Sequence, residues 1–379
     1  MVMKVNAAGI IFSNIHDRNI PELTRLRTVA SVPFLCRYRL IDFALSNMVN
    51  SDIFNIGVIT HSNYHSLMDH IGSGKDFDLA RRSGGIKILP PYITAFSGGN
   101  RLYKTRLEAL ICIYPFITGI KEEFVVLSDC DTVCNIDIRE LIAEHIAADS
   151  DITVAVSGKE KRPGSSRATL YRTDSGGMVT DVLEGNANEI TDAAFGLNVM
   201  VMSSELLAYL VADASAHGYT SFTKDIILRG LHRYNIRVCR MSGYSASVCS
   251  LADYYSVSME LIKDKSARDE LFSLRDRPVY TKTRNSPPTS YSRDSRVESS
   301  LVADGCSIRG KVESSILFRG VRIGENTVVK NSILMQDCVI GDNASLDHVI
   351  CDKNAVIRDG RTLSGCEGTP FCIPKGHMA

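Results

Sequence analysis

The sequence predicts an α/β domain with a parallel sheet, followed by a short left-handed parallel β-helix. Two periodicities carry this expectation. From residue 4 to about residue 157, short β-branched runs alternate with helical patterns, and further elements follow to residue 262. From residue 297 onward, apolar residues return in a fixed 17-residue register. A third observation separates the two halves. Residues 274–296 hold Pro278, Pro287, Pro288 and four arginines besides Arg296, with many Ser and Thr and little that is apolar. That composition reads as a linker. The expected organisation is therefore 1–273 for the α/β domain, 274–296 for the linker, and 297–379 for the solenoid and tail.

The first strand is expected over residues 4–12, apolar from Val5 to Phe12 except at Asn6. The run is brief and lacks the small-residue cleavage pattern of a secretory signal. In residues 37–49, Leu40, Ile41, Leu45, Met48 and Val49 share one face at i, i+3, i+4 spacing, which predicts a helix. Strands follow at Ile56-Gly57-Val58-Ile59, Ile86-Lys87-Ile88-Leu89, Phe124-Val125-Val126-Leu127 and Ile152-Thr153-Val154-Ala155-Val156. Helical patterns over 106–117 and 138–146 lie between them. Such alternation puts helices on both faces of a parallel sheet and ligands beyond its C-terminal strand ends. A strand over 197–202, helices over 204–211 and 223–232, a strand over 236–241 and a helix over 251–262 complete the domain.

In the second half, Ile323-Gly324-Glu325-Asn326, Ile340-Gly341-Asp342-Asn343 and Ile357-Arg358-Asp359-Gly360 recur every 17 residues. Ser315-Ile316-Leu317, Ser332-Ile333-Leu334 and Val349-Ile350-Cys351 step in phase with them. Within a coil, apolar positions fall six apart, as from Val302 to Ile308, Ile340 to Leu346 and Ile350 to Val356. This is hexapeptide spacing, with three short strands per turn, each aiming an aliphatic side chain inward. Ile323, Ile340 and Ile357 should stack in one internal column. The turn residues mark the corners, and so short a solenoid should bury an edge against another domain or subunit.

Composition excludes several function classes. The 379 residues carry 43 Lys plus Arg against 43 Asp plus Glu, so no net field gathers nucleic acid or anionic membrane. No apolar run reaches the 18 or so residues that a membrane helix needs. Eleven cysteines, an odd number scattered along the chain, suit reduced thiols and a cytoplasmic location. Cys130 and Cys134 have no second pair to complete a zinc site. His61, His65 and His70 resemble a ligand run, but at helical spacing His70 falls opposite the other two.

The segment from residue 23 to residue 60 carries a closer signal. Val32-Pro33-Phe34, Tyr38-Arg39-Leu40-Ile41-Asp42-Phe43 and Leu45-Ser46-Asn47 closely resemble the N-terminal signature of bacterial glucose-1-phosphate adenylyltransferase (ADP-glucose pyrophosphorylase). The resemblance extends over the linker and solenoid. It implies a Rossmann-like nucleotidyltransferase domain, and a family that makes ADP-glucose and pyrophosphate from ATP and glucose 1-phosphate for glycogen synthesis, with Mg²⁺.

Several family positions are altered. Where the family has Gly-Gly-x-Gly-x-Arg, this chain has Gly9 followed by Ile10, Ile11 and Phe12. These side chains resist positive φ and would fill a phosphate's space. The family's loop arginine aligns with Asn19, or with Arg18 if one residue is gapped; Arg18 would then stabilise charge on the transferred phosphate, or simply be solvated. Arg-Ala-Lys-Pro becomes Arg27-Thr28-Val29-Ala30, retaining Arg27 but not the lysine. Gly-Gly-Lys becomes Leu35-Cys36-Arg37, leaving the charge at Arg37. Asp131, in Leu127-Ser128-Asp129-Cys130-Asp131, best matches the first Mg²⁺ carboxylate. Ser247 replaces the second, and a neutral hydroxyl cannot offset the ion's charge. On the sugar-phosphate side the resemblance points to Tyr103, Glu108, Glu184, Lys224 and Asp225. Tyr103-Lys104-Thr105-Arg106-Leu107-Glu108-Ala109 lacks the family's glycine, and Glu184-Gly185-Asn186 lacks its lysine.

These losses cluster on one reaction. The resemblance therefore implies the D-type second subunit: cytoplasmic, impaired alone, weak or lacking in Mg²⁺ binding, and an assembly and regulatory partner of a catalytic paralogue in a hetero-oligomer, expected to be a tetramer. Two rivals stand beside it. One is a competent sugar-phosphate nucleotidyltransferase with a divergent loop, using Asp131 and Arg18. The other is a hexapeptide-type acyltransferase, for which His348 is the internal candidate base.

Overall fold

The computed structural model describes residues 5–91, 102–158, 168–185, 190 and 192–379. Among the described residues, nine strands form the main sheet: β1 (Ala7–Phe12), β2 (Asn55–Ile59), β3 (Gly85–Leu89), β4 (Phe124–Asp129), β5 (Ile152–Ser157), β6 (Ala168–Thr173), β7 (Val179–Gly185), β8 (Ala194–Ser203) and β9 (Ile236–Met241). β3, β2, β1 and β4 pair in parallel in that order. β1 is buried along its whole length, as a central parallel strand flanked by helices must be. Gly9 lies inside it, where an added Cβ would sit 2.3 Å from the Met48 sulfur. It serves helix–sheet packing and not a phosphate turn.

The sheet is mixed and not wholly parallel. β8 runs antiparallel to both β4 and β5, and β9 is parallel to β5. The β6–β7 hairpin feeds β8, with no helical crossover among the described residues of that stretch. Without a crossover the chain returns antiparallel. The helix expected over 106–117 is two, Arg106–Cys112 and Tyr114–Thr118, because Pro115 cannot continue the first. The segment expected as a helix over 223–232 is a π-helix, Phe222–Leu228. A further helix, Lys265–Phe272, packs after Leu251–Lys263.

The solenoid is a left-handed β-helix of parallel strands in three five-stranded sheets. Its first coil already includes Ser290–Tyr291, inside the stretch read as linker, and Arg296–Glu298, which begins on that stretch's last residue. Ile308, Ile323, Ile340 and Ile357 pair in register, and each is essentially buried in the solenoid's core. Asn326 and Asn343 take φ of 54° and 56° at stacked corners, where Asn tolerates the left-handed region. One face does not meet water. Ile316, Ile333 and Ile350 pack with Ile20, Leu23, Tyr254 and Tyr255 of the α/β domain, and the Tyr255 hydroxyl donates to the Asn331 carbonyl at 2.6 Å. The linker is tied down too: Tyr280 N–H donates to Ser46 Oγ at 2.8 Å.

Candidate functional site

A cleft of about 660 Å³ opens beyond the C-terminal ends of β1 and β4, where open α/β sheets place ligands. The loop leaving β1 is pinned before it reaches the cleft. Asp17 Oδ1 accepts from the Val29 N–H at 2.6 Å, and Thr24 Oγ1 donates to the Ile20 carbonyl at 2.7 Å. This fixes His16 at the cleft floor, where it faces Asp129 and Asp131.

Four ionisable side chains meet there. His16 Nε2 lies 2.6 Å from Asp129 Oδ2 and 3.5 Å from Asp131 Oδ2. Arg106, the first residue of its helix, sends Nε to within 3.0 and 2.9 Å of Asp129 Oδ1 and Oδ2, with Nη2 also on Oδ2. Burial alone would raise the Asp129 carboxyl, but Arg106 and His16 hold it down at about 2. Asp131 accepts from Asn198 Nδ2 at 3.1 and 3.3 Å, and Thr132 Oγ1 lies 3.4 Å from its Oδ1. His16, Asp129 and Asp131 bring ligand-type atoms within 4.8 Å of one another, the spacing of a possible metal group. Every carboxylate oxygen in that group already faces a protein donor. Mg²⁺ takes oxygen ligands at close range and demands near-octahedral order, so an ion here would have to compete with these donors for the same oxygens.

The remaining wall is polar. Lys104, Thr169, Glu184, Asn198, Lys224, Asp225 and Ser247 line it, the lysines supplying positive charge. Lys224 and Asp225 ride on the π-helix; Asp225 Oδ2 accepts from the Thr220 and Ser221 N–H groups at 3.1 and 3.0 Å, which fixes the turn.

Two comparisons bear on what this cleft belongs to. Residues 19–260 match the nucleotidyl transferase family model, and residues 287–366 match the GlmU-like C-terminal hexapeptide model. The chain is 36% identical over 324 residues to the glycogen biosynthesis protein GlgD of Geobacillus stearothermophilus, covering 85% of this chain and 82% of that one. It is 32% identical over 327 residues to GlgD of Bacillus subtilis (strain 168), again covering 85% and 82%. It is 32% identical over 332 residues to a glucose-1-phosphate adenylyltransferase of Halalkalibacterium halodurans, covering 86% and 85%. The chain belongs to the GlgD and glucose-1-phosphate adenylyltransferase family.

Within this family member, the cleft gathers Asp131, Glu184, Lys224, Asp225 and Ser247 from the residues expected at the site. Of the two positions weighed for the loop arginine, Asn19 lines the cleft, while Arg18 is exposed and outside its lining. Arg27 is a correction. It is buried and paired with Asp352 of the solenoid, so its charge is spent between domains. Tyr103 is a second: it is buried, its hydroxyl donating to Asn14 Oδ1 at 2.9 Å. Glu108 is a third: its Oε2 accepts from the Lys104 N–H at 2.6 Å, and its own N–H donates at 3.2 Å to Oγ1 of Thr105, the cap of the helix that Arg106 begins. Asn186 lies outside the described residues. His348 packs on Tyr255 with Nδ1 2.7 Å from Asp347, at a solenoid corner and far in sequence from the cleft residues.

Arg37 belongs elsewhere. It lines a second cavity of about 130 Å³ between the domains, with Arg39, Lys282, Arg284, Arg319 and Lys353. Leu35 and Cys36, where family glycines stood, hold φ of 38° and 67° in the turn that carries it. Sequence reasoning missed His16, Asp129 and Arg106. Asp129 ends a buried strand, a usable signal; Arg106 and His16 have none, because their meeting needs three separate elements.

Proposed function

We propose that this chain is the second, GlgD-type subunit of a glucose-1-phosphate adenylyltransferase, acting in glycogen biosynthesis as assembly and regulatory partner of a catalytic paralogue. The observation that carries this reading is the cleft floor. Phosphoryl transfer depends on charge stabilisation of the reacting phosphates, and here Asp129 and Asp131 are taken up by His16, Arg106 and Asn198. With Ser247 beside Asp131 and aliphatic residues after Gly9, we read the chain as weak in Mg²⁺ and poor in turnover. Asp131, Lys224 and Glu184 are then vestiges of a substrate site, and Arg18, outside the cleft lining, has no part in it.

The remaining fold supports a partner role. Exposed apolar side chains at Val339 and Phe371 mark solenoid surface for a subunit contact. The second cavity, with its six basic side chains, suits a phosphorylated effector placed between the domains. Such a ligand could bias the partner's conformation through the shared interface.

The test is reconstitution. Purified alone, the chain should make ADP-glucose at least roughly a hundredfold more slowly than a catalytic relative, given the missing charge-stabilising groups. Mixed with its catalytic paralogue, it should co-migrate as a hetero-oligomer and raise turnover per catalytic chain. Comparable turnover by the pure chain, free of homologues by mass spectrometry, would establish the competent-enzyme reading instead.

A further inference from the structure

The Asp129–Asp131 pair sits where three elements converge, and each brings a donor. Arg106 comes from the N-terminus of helix Arg106–Cys112, His16 from the loop after β1, and Asn198 from β8. The two carboxylates are almost fully enclosed, at 1% and 2% side-chain exposure, and Arg106 is 16% exposed. A guanidinium held on both oxygens of one carboxylate is a fixed, charge-assisted pairing. It occupies the coordination edge that a divalent ion needs, and it adds a positive charge within a few ångströms of where that ion would sit.

We propose that Arg106 is a resident counter-ion that replaces a divalent metal in this cleft, its guanidinium closing the Asp129–Asp131 pair to Mg²⁺ and Mn²⁺. The carboxylates become a structural anchor for the loop after β1 and the helix at Arg106. Any phosphorylated ligand entering the cleft meets Lys104 and Lys224 without a bridging ion. This rests on the subunit reading above, but it is read out by metal occupancy and not by turnover.

The experiment is a Mn²⁺ titration of the purified full-length chain, followed by loss of the free-ion signal in electron paramagnetic resonance. Wild-type protein should take up no stoichiometric Mn²⁺ at this site. Arg106→Ala should bind one equivalent at least roughly tenfold more tightly than wild type, since a buried like charge has been removed. Arg106→Gln keeps a side-chain N–H for Asp129 without the charge, and should gain binding similarly if the alanine variant folds poorly. Arg106→Lys should behave as wild type. Adding Asp129→Asn to either neutral variant should abolish the gain. Wild-type protein holding one Mn²⁺ with micromolar affinity overturns the proposal without recourse to any variant, and so do folded Arg106 variants that gain nothing. Tight metal binding with no turnover would sink this inference alone; turnover by the pure chain would sink the subunit reading.

Discussion

Arg27 and Asp352 form a buried ion pair across 325 residues of sequence, with Arg27 Nη2 2.8 Å from each carboxylate oxygen. One partner precedes the first long helix and the other sits on a solenoid coil, so the pair fastens the two domains. Both side chains are essentially excluded from water, at 2% and 3% exposure. Such a pair contributes modestly against an apolar replacement, yet losing one member strands a charge.

Arg27→Ala should therefore destabilise the protein by about 3–5 kcal/mol, as removal of one partner of a buried pair does. Arg27→Met combined with Asp352→Leu should recover most of that loss. Urea unfolding of Arg27→Met, Asp352→Leu and the double variant measures the coupling. Additive losses would show that the pair does not fasten the domains.

Ile340→Asp should cost several kcal/mol, because it buries an unpaired charge in the solenoid's narrow core. Ile340 is 1% exposed and stacks between Ile323 and Ile357. Its neighbour Val339 points outward at 36% exposure, and Val339→Asp should be close to neutral for stability. Thermal unfolding by circular dichroism would compare them. Equal losses would contradict the inward column.

Lys353, beside Asp352, brings a pH dependence. Burial, with Arg39 and Arg27 nearby, lowers its ammonium to about 7, against an ordinary value of about 10.4. Between those two values the unfolded chain holds the proton more firmly, so stability rises with pH across the window. Below the lower value the penalty is fully present. Lys353→Met should then raise the melting temperature at pH 6.5 and change it little near pH 10. A larger gain at the higher pH would reverse the assignment.

Asp131→Asn should leave stimulation of the catalytic partner unchanged if the cleft is vestigial. Val339→Glu with Phe371→Glu, at exposed solenoid positions, should abolish the stimulation while sparing the fold. Light scattering and turnover per catalytic chain would read both. A monomer in all conditions, with unchanged partner kinetics, would end the regulatory reading.

The sequence by itself determined the local order of this protein. Outside the β6–β7 hairpin, β-branched runs marked the strands of the main sheet, because a side chain's period of two or of 3.6 is written residue by residue. The 17-residue repeat gave the inward isoleucine column for the same reason: each coil stacks on the one before it, so register follows from spacing. Residues from the 23–60 signature were legible as a family mark, but not in their roles. Arg27 and Tyr103 kept the letters of a substrate site while being buried in packing. Only tertiary structure decided where charges meet. β8 became antiparallel through a hairpin that no periodicity announced, and it delivered Asn198 to Asp131. Arg106 found Asp129, and His16 found both carboxylates, across elements far apart in the chain. Electrostatic pairing acts over a few ångströms of space, and sequence distance carries no record of it.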